Sequence, residues 1–509
     1  MNHALTRRHL LRSSIASSAG LAGAALLAAC GGSGAPAAST SSVAGSATLS
    51  SSSAAPAASS AATSVASSSQ TTSQAATSSA PQPTATSAPK AQAAAPAANP
   101  QAVTYTTPDV DPLLAHEKQA IDEFMQKHPT IKVDVQTFPD APDFYEKLKV
   151  LFAAGVMPDV LNQETKYLPG HVYQKMIMEL TAMMNTAGIK QDDFWPLQWK
   201  KHELNGKMWG IPIESEEVVV FYNKDLFQKY GVTPPPTKWD DPSWTWDALL
   251  EAATKLTQGA DAAKTWGFNA STWWVYDYPM IWGYGGTVLN ADHSKSTLST
   301  PATLDALQFR ADLLNRYRVH PLAADLKEGL VKMFGAGRIA MNMTWCEWAY
   351  YIKDVPNLNF EMAPTPRGKA GAFTRAPSDC ITINSQTKHR DDAFTVAQYL
   401  TSLDGIKTMV ASVGLVPALK AALPNYVHPQ DPKVANLNWQ VAVDAEAQGH
   451  VQAQDVTIKW TEMDTLLRKE HDVLLANKET AQDFAAKVEP QINALLDSIP
   501  ADQRGFIGD

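Results

Sequence analysis

Roughly 72 residues near the start of this chain, Gly31 to Ala102, cannot build a core. They are almost wholly Ser, Ala, Thr, Pro and Gln, and Lys90 is their one charge. Such a stretch lacks the large apolar side chains that offset ordering entropy, so it is expected to stay disordered. As a flexible coil it spans about 45 Å, enough to hold a globular body away from whatever anchors its N-terminal end. An O-glycosylated stalk is the alternative to a plain tether. All folding must come from the roughly 400 residues from Val103 to Asp509, enough for two ordinary domains.

The tether is preceded by the parts of an export signal over residues 1–29. Arg7-Arg8 opens it, a small apolar run from Ile15 to Ala29 follows, and Cys30 closes it. The run is too short and too rich in small residues for a comfortable membrane span. The Arg-Arg pair resembles a twin-arginine signal, and Leu27-Ala28-Ala29-Cys30 resembles a bacterial lipobox. That resemblance implies cleavage before Cys30, a lipid on its sulfur, and a location at the outer face of the cell membrane. The alternative is an ordinary secretory peptide with a chance cysteine. Losing Arg7, Arg8 and Arg12 with the signal takes the formal charge from −9 to −12. An acidic surface argues against nucleic acid or anionic lipid as the main partner. Cys346 and Cys380 could pair in an export compartment or remain two buried thiols.

Within the body, helix alternates with strand. Leu114, Ile121, Phe124 and Met125 share a helix face that His128-Pro129 stops, and Ile131 to Gln136 alternates as a strand does. A helix over Phe144–Ala154 and a strand at Met157–Leu161 follow, a rhythm that argues for parallel sheets of the α/β class. Val218 to Tyr222 is apolar without alternation, as in a central strand covered on both faces. Leu304, Leu307, Ala311 and Leu314 stripe a later helix, and Ala393, Phe394, Ala397 and Leu400 another, after a strand at Ile381–Asn384. Gly206 and Gly210 suit a hairpin about Lys207-Met208. Asp225 suits a helix N-cap and Gly231 a C-cap. Thr480 with Asp483 reads as a capping box before a helix that contains Pro490.

Six segments in order then resemble bacterial extracellular solute-binding proteins, specifically the carbohydrate-binding family that feeds ABC importers. Ala154-Gly155-Val156-Met157-Pro158-Asp159-Val160 resembles the family's turn and strand, and Asn205 to Pro212 its "nGk.yGiP" segment. Phe221 to Phe227 resembles "yYNkdlF"; Pro234-Pro235-Pro236 with Thr245 to Leu249 resembles "pP.tWdel"; Phe334 to Met341 resembles "f..GkaAM". Trp282 to Gly286 is similar to the family's glycine-bearing "w..Gg..l". The resemblance implies two α/β lobes joined by a hinge, with ligand in the cleft between them. One lobe would hold about 103–213 and 360–410, the other about 218–359 and 415–509. Crossings are expected near Glu214-Ser215-Glu216, Asn359 and Val413. Trp246 is expected to pack against its own helix and away from ligand.

A saccharide offers apolar C–H faces edged by hydroxyls, so its site needs aromatic plates and planar hydrogen-bonding side chains. The dense run Trp273-Trp274-Val275-Tyr276-Asp277-Tyr278, with Trp282 just beyond, supplies aromatics, some of which should line a surface. Trp345 or Trp348 is expected as a stacking plate, at a place where the family carries one, with Glu347 between them as an acceptor. On the other lobe Asn162, Gln163 and Glu164 follow a strand's carboxyl end, where open α/β sheets present ligand groups. Glu214 and Asp379 are expected at the lobe edge.

The expected protein is a monomeric receptor that binds a saccharide, closes, and presents it to an importer permease, with no cofactor and no metal. The rival is a cell-surface glycoside hydrolase using two carboxylates such as Glu214 and Glu347. A binding lipoprotein serving a sensor is a third reading. No His-Glu-x-x-His, P-loop, Gly-x-Ser-x-Gly or Cys-x-x-Cys motif occurs, and the 12 histidines lack ligand spacing.

Overall fold

A computed structural model describes residues 102–138 and 143–504. The signal, Cys30 and the tether up to Gln101 lie outside the described residues. Strands β1 (Ala102–Thr106), β2 (Lys132–Gln136), β3 (Val160–Glu164) and β4 (Ile211–Pro212) open a first sheet. A second is made of β5 (Val218–Asn223), β6 (Asn269–Ala270), β7 (Met341–Trp345) and β8 (Phe360–Ala363). The chain then returns to the first through β9 (Asp379–Ile383), giving the orders β2-β1-β3-β9-β4 and β8-β5-β7-β6. The result is a two-lobed α/β fold, one lobe around each sheet.

The sheets are mixed, not parallel as expected. β1 runs parallel to β2 and β3, but β9 is antiparallel to β3 and β4. Topology is the reason. β9 arrives from the other lobe, so it begins where β3 ends, with Asp379 opposite Glu164. In the second sheet β5 is antiparallel to both β7 and β8, and only β6 runs parallel to β7.

β5 is the central strand its composition predicts. Val218, Val220 and Tyr222 pack into one core with Trp246, Phe268 and Leu307, while Val219 and Phe221 face a second core with Phe334 and Trp348. Period-two alternation sends successive side chains to opposite faces, and both faces here are covered. The first sheet packs Tyr105, Ile381 and Ile383 against the helices Leu113–Lys127 and Arg390–Leu400.

Local signals are met with three shifts, the first being that the hairpin expected about Lys207-Met208 turns two residues earlier. The hairpin turns at Asn205-Gly206, both at positive φ, between Glu203–Leu204 and Lys207–Met208. Thr480 and Asp483 form the capping box, and Pro490 lies within Ala481–Asp497. Gly231 caps the helix Lys224–Tyr230 in the left-handed region, but Asn223, not Asp225, caps its start by accepting from the Leu226 amide. The stripe of Leu113–Lys127 is rotated from the expected one: Leu113, Glu117, Ala120, Ile121 and Phe124 are buried, while Leu114 and Met125 are only half-buried. Trp246 is buried in the core at the head of its helix.

One lobe boundary is corrected. Phe360–Ala363 was expected in the first lobe, with a crossing near Asn359, yet β8 pairs along β5 in the second. The return crossing lies near Ala376–Ser378, where the Glu216 amide donates to Pro377 O at 2.9 Å. Val416–Pro417 pairs with Glu214–Ser215, so the last crossing runs beside the first. Cys346 and Cys380 are free, buried thiols in separate cores. Among the described residues no helix is long and apolar enough to cross a membrane.

Candidate functional site

The first lobe presents the carboxyl ends of β1 and β3, the start of β9 and the crossing after β4. Just past β1, the Thr107 hydroxyl donates to Glu117 Oε1 at 3.0 Å and accepts from the Asp109 amide at 3.1 Å. Asn162, on β3, donates its side-chain amide to the same Glu117 oxygen at 2.7 Å. Burial, then the neighbouring charge of Asp109, holds the Glu117 carboxyl well above its ordinary range. Asp109, Glu117, Asn162, Glu214, Glu216 and Asp379 converge on one cavity. Glu164 pairs with Lys166, and both line a second cavity beside Ser378 and Gln454 of the return crossing and second lobe. The two hold about 10 and 20 Å³, room for little more than a water each.

The second lobe supplies the aromatic wall. Trp273 leads a tight turn, Trp274–Asp277, and donates its indole N–H to Asp464 Oδ1 at 2.7 Å. Lys166 reaches across from the first lobe to 5.1 Å from its ring centre, while the Arg375 and Arg468 guanidiniums lie at 5.6 and 4.5 Å. Three residues on, Tyr276 sits against Trp345 with ring centres 5.2 Å apart. Glu347 follows at the end of β7, 3% exposed. Burial drives the Tyr276 hydroxyl well above its ordinary range, so it stays protonated and able to donate.

Thus Asn162, Glu164, Glu214 and Asp379 of the expected set gather on one wall, and Trp273, Trp345 and Glu347 stand on the other lobe near the crossings. Two expected residues, Trp348 and Gln163, lie elsewhere. Trp348 is core, edge-on to Phe221 at 5.1 Å and Phe334 at 4.9 Å. Three residues beyond Trp345, it has passed to the other side of the second sheet. Trp274 packs on Trp460 and Tyr278 and donates to the same Asp464 oxygen as Trp273, and Trp282 stacks on Tyr278 at 4.7 Å; both share the second lobe's core with Trp273 and Trp345. Gln163 is fully buried and bonded to His171 at 2.8 Å, since β3 alternation turns it away from the face Asn162 uses.

Asp109, Glu117 and Glu216, which line the same cavity, and Tyr276 and Arg375, beside Trp345 and Trp273, were not among the expected residues. Asp109 follows β1 as Asn162 belongs to β3, so the rule about strand ends reaches it too. Glu117 had a clear signal: it is the acidic residue inside the helix's buried stripe. Arg375, in the strand Thr374–Arg375, carries no local mark at all.

The Glu117 shift has a measurable consequence. A carboxyl that binds its proton more tightly folded than unfolded contributes fully below its ordinary value of 4.5 and loses that contribution as pH rises through the folded value. Glu117→Gln stays neutral at every pH. Its melting temperature relative to the parent should therefore shift in its favour as pH climbs from about 4.5 toward neutrality. A difference independent of pH would contradict the assignment.

The family model described as bacterial extracellular solute-binding protein matches residues 107–407. A binding protein of Brucella abortus is 28% identical over 318 residues, 60% of this chain and 74% of its own. An ABC substrate-binding protein from Listeria monocytogenes, solved in complex with cycloalternan, superposes with a TM-score of 0.68 at 23% identity, covering 78% of this chain and 98% of that one. Maltose-bound MalE3 of T. maritima gives 0.64 at 23% identity, over 77% and 99%. At these identities the solved structures establish the two-lobed fold.

Proposed function

The chain belongs to the bacterial extracellular solute-binding proteins, and on that footing we propose that it is a receptor that closes on a saccharide and delivers it to an ABC importer. The observation that carries this reading is Trp273. Its indole stands at the lobe boundary, reached by Lys166 from the first lobe and backed by Arg375 and Arg468. The first lobe carries carboxylates and an amide about one cavity, the acceptors and donors that sugar hydroxyls need. Trp273, Tyr276 and Trp345 supply aromatic faces for C–H surfaces. Asn162, Glu164, Glu214, Glu216, Glu347, Asp379 and Arg375 supply in-plane hydrogen bonds. Ligand bridging the walls favours the closed state by its extra contacts there.

The relatives support the ligand class, since the Listeria and T. maritima proteins were solved with saccharides bound. Export through the 1–29 signal, lipid attachment at Cys30 and the tether to residue 102 complete the proposal. They would keep the body at the membrane face while leaving it free to turn toward a permease. No covalent step is required of it.

The test titrates the full chain with mono- and oligosaccharides, following tryptophan fluorescence and free product together. A saturable spectral change with constant ligand supports the receptor. Sustained release of shorter sugars would instead make Glu214 and Glu347 candidate catalysts.

A further inference from the structure

The first-lobe carboxylates have a larger opening beside them, divided from their own cavity by the buried side chain of Leu113. A groove of about 590 Å³ opens beyond them, between the start of helix Leu113–Lys127 and helix Trp348–Ile352 of the second lobe. Leu113 lines both this groove and the cavity holding Asp109 and Glu117, so the two are neighbours across one side chain. Its size falls within the ~300–1,000 Å³ of clefts that hold organic ligands.

The walls have a definite chemistry. Tyr350 and Tyr351 form one side, with His116, Asn425 and Gln430 around them. Tyr350 is held in place: its ring lies 5.8 Å from that of Trp439. Gly414, at φ +82°, passes so near that a Cβ there would fall 2.7 Å from the tyrosine ring. His116 is tied to Ser412 Oγ at 3.0 Å, and burial lowers its pKa from 6.5, leaving a neutral hydrogen-bonding group at neutral pH. On the rim Lys353 pairs with Asp431 at 2.7 Å and Asp354 at 3.7 Å, and Lys407 adds one further positive charge. Aromatic faces, carboxamides and a neutral imidazole beside largely paired charges suit a neutral, hydroxyl-rich ligand better than an ion.

We infer that this groove is an outer part of the binding site, holding the rings of an oligosaccharide that emerge from the central cleft. The inference rests on the saccharide reading above and adds chain length to it. His116 belongs to the first lobe and the tyrosines to the second, so outer rings would also bridge the lobes and add to closure.

The test uses the full chain and three ladders of one to five rings: α-1,4-gluco-, β-1,4-gluco- and β-1,4-xylo-oligosaccharides. In whichever ladder binds, affinity should rise about 10-fold or more from two rings to four, the scale of one aromatic stack with its hydrogen bonds. Tyr351→Ala should erase that gain and leave disaccharide affinity unchanged. Asn425→Trp, which fills the groove from an exposed position and spares the core, should do the same. Affinity that stays flat beyond two rings, or variants that weaken every length equally, overturns the outer site while leaving the saccharide reading intact. No binding by any ladder overturns both.

Discussion

Trp273→Ala should weaken saccharide binding by about 100-fold, the loss expected when a central buried aromatic anchor is truncated. The side chain does three things at once. It offers a ring face at the lobe boundary, it takes the approach of Lys166 from the opposite lobe, and its N–H holds Asp464. Removing it takes away a stacking surface and a contact between the lobes, so a closed state should lose more than an open one. Trp348→Ala is the matched control. Its indole is 5% exposed and wedged against Phe221 and Phe334, so truncation should cost about 3–5 kcal/mol of stability. Affinity should stay at the parent value. Titration calorimetry and denaturant unfolding on both variants separate the roles. Equal affinity for Trp273→Ala and parent would remove Trp273 from the site.

That contrast shows what a sequence can and cannot disclose here. The central strand was legible because Val218 to Tyr222 has no polar position to turn outward, and two cores indeed meet it. The capping box at Thr480 was legible because it is a local geometric demand, while the hairpin expected about Lys207-Met208 turns two residues earlier, at Asn205-Gly206. Which tryptophan faces the cleft is not local. Trp345 ends a strand and Trp348 starts a helix, so three residues suffice to carry the chain from one side of the sheet to the other. Within Trp273 to Tyr278 a tight turn buries all four aromatics in one core, and only Trp273 among them is approached by Lys166 from the first lobe. Composition marks the run as aromatic without marking the turn. Phe360–Ala363 could pair with either sheet on its own residues, and only the open edge of β5 decides. Arg375 joins the proposed site because a crossing strand brings it over Trp273, a matter of tertiary geometry alone.

The turn that presents those aromatics is anchored from behind, and breaking the anchor should be the most destabilising change in the second lobe. Asp277 is 1% exposed; it accepts from Arg310 Nε at 3.0 Å and from His471 Nε2 at 2.7 Å. Arg310 reaches on to the Ser271 carbonyl at 3.2 Å, and His471 Nδ1 to that of Thr272 at 3.0 Å. Three side chains from separate helices and turns thus fix the backbone on both sides of Trp273. Asp277→Ala leaves a wholly buried guanidinium without its counter-charge, and such losses cost about 3–5 kcal/mol. The same variant should weaken saccharide binding, because the turn bearing Trp273 and Tyr276 loses its fixed geometry. The double variant Asp277→Leu with Arg310→Met discriminates between the two effects. Removing both charges together should recover much of the stability, since a buried pair is worth little net against apolar groups of similar volume. Affinity should recover less, because Met cannot hold the Ser271 carbonyl. If stability and affinity return together, the network matters only as a charge pair. If affinity stays low while stability returns, the network is what aims the aromatic wall.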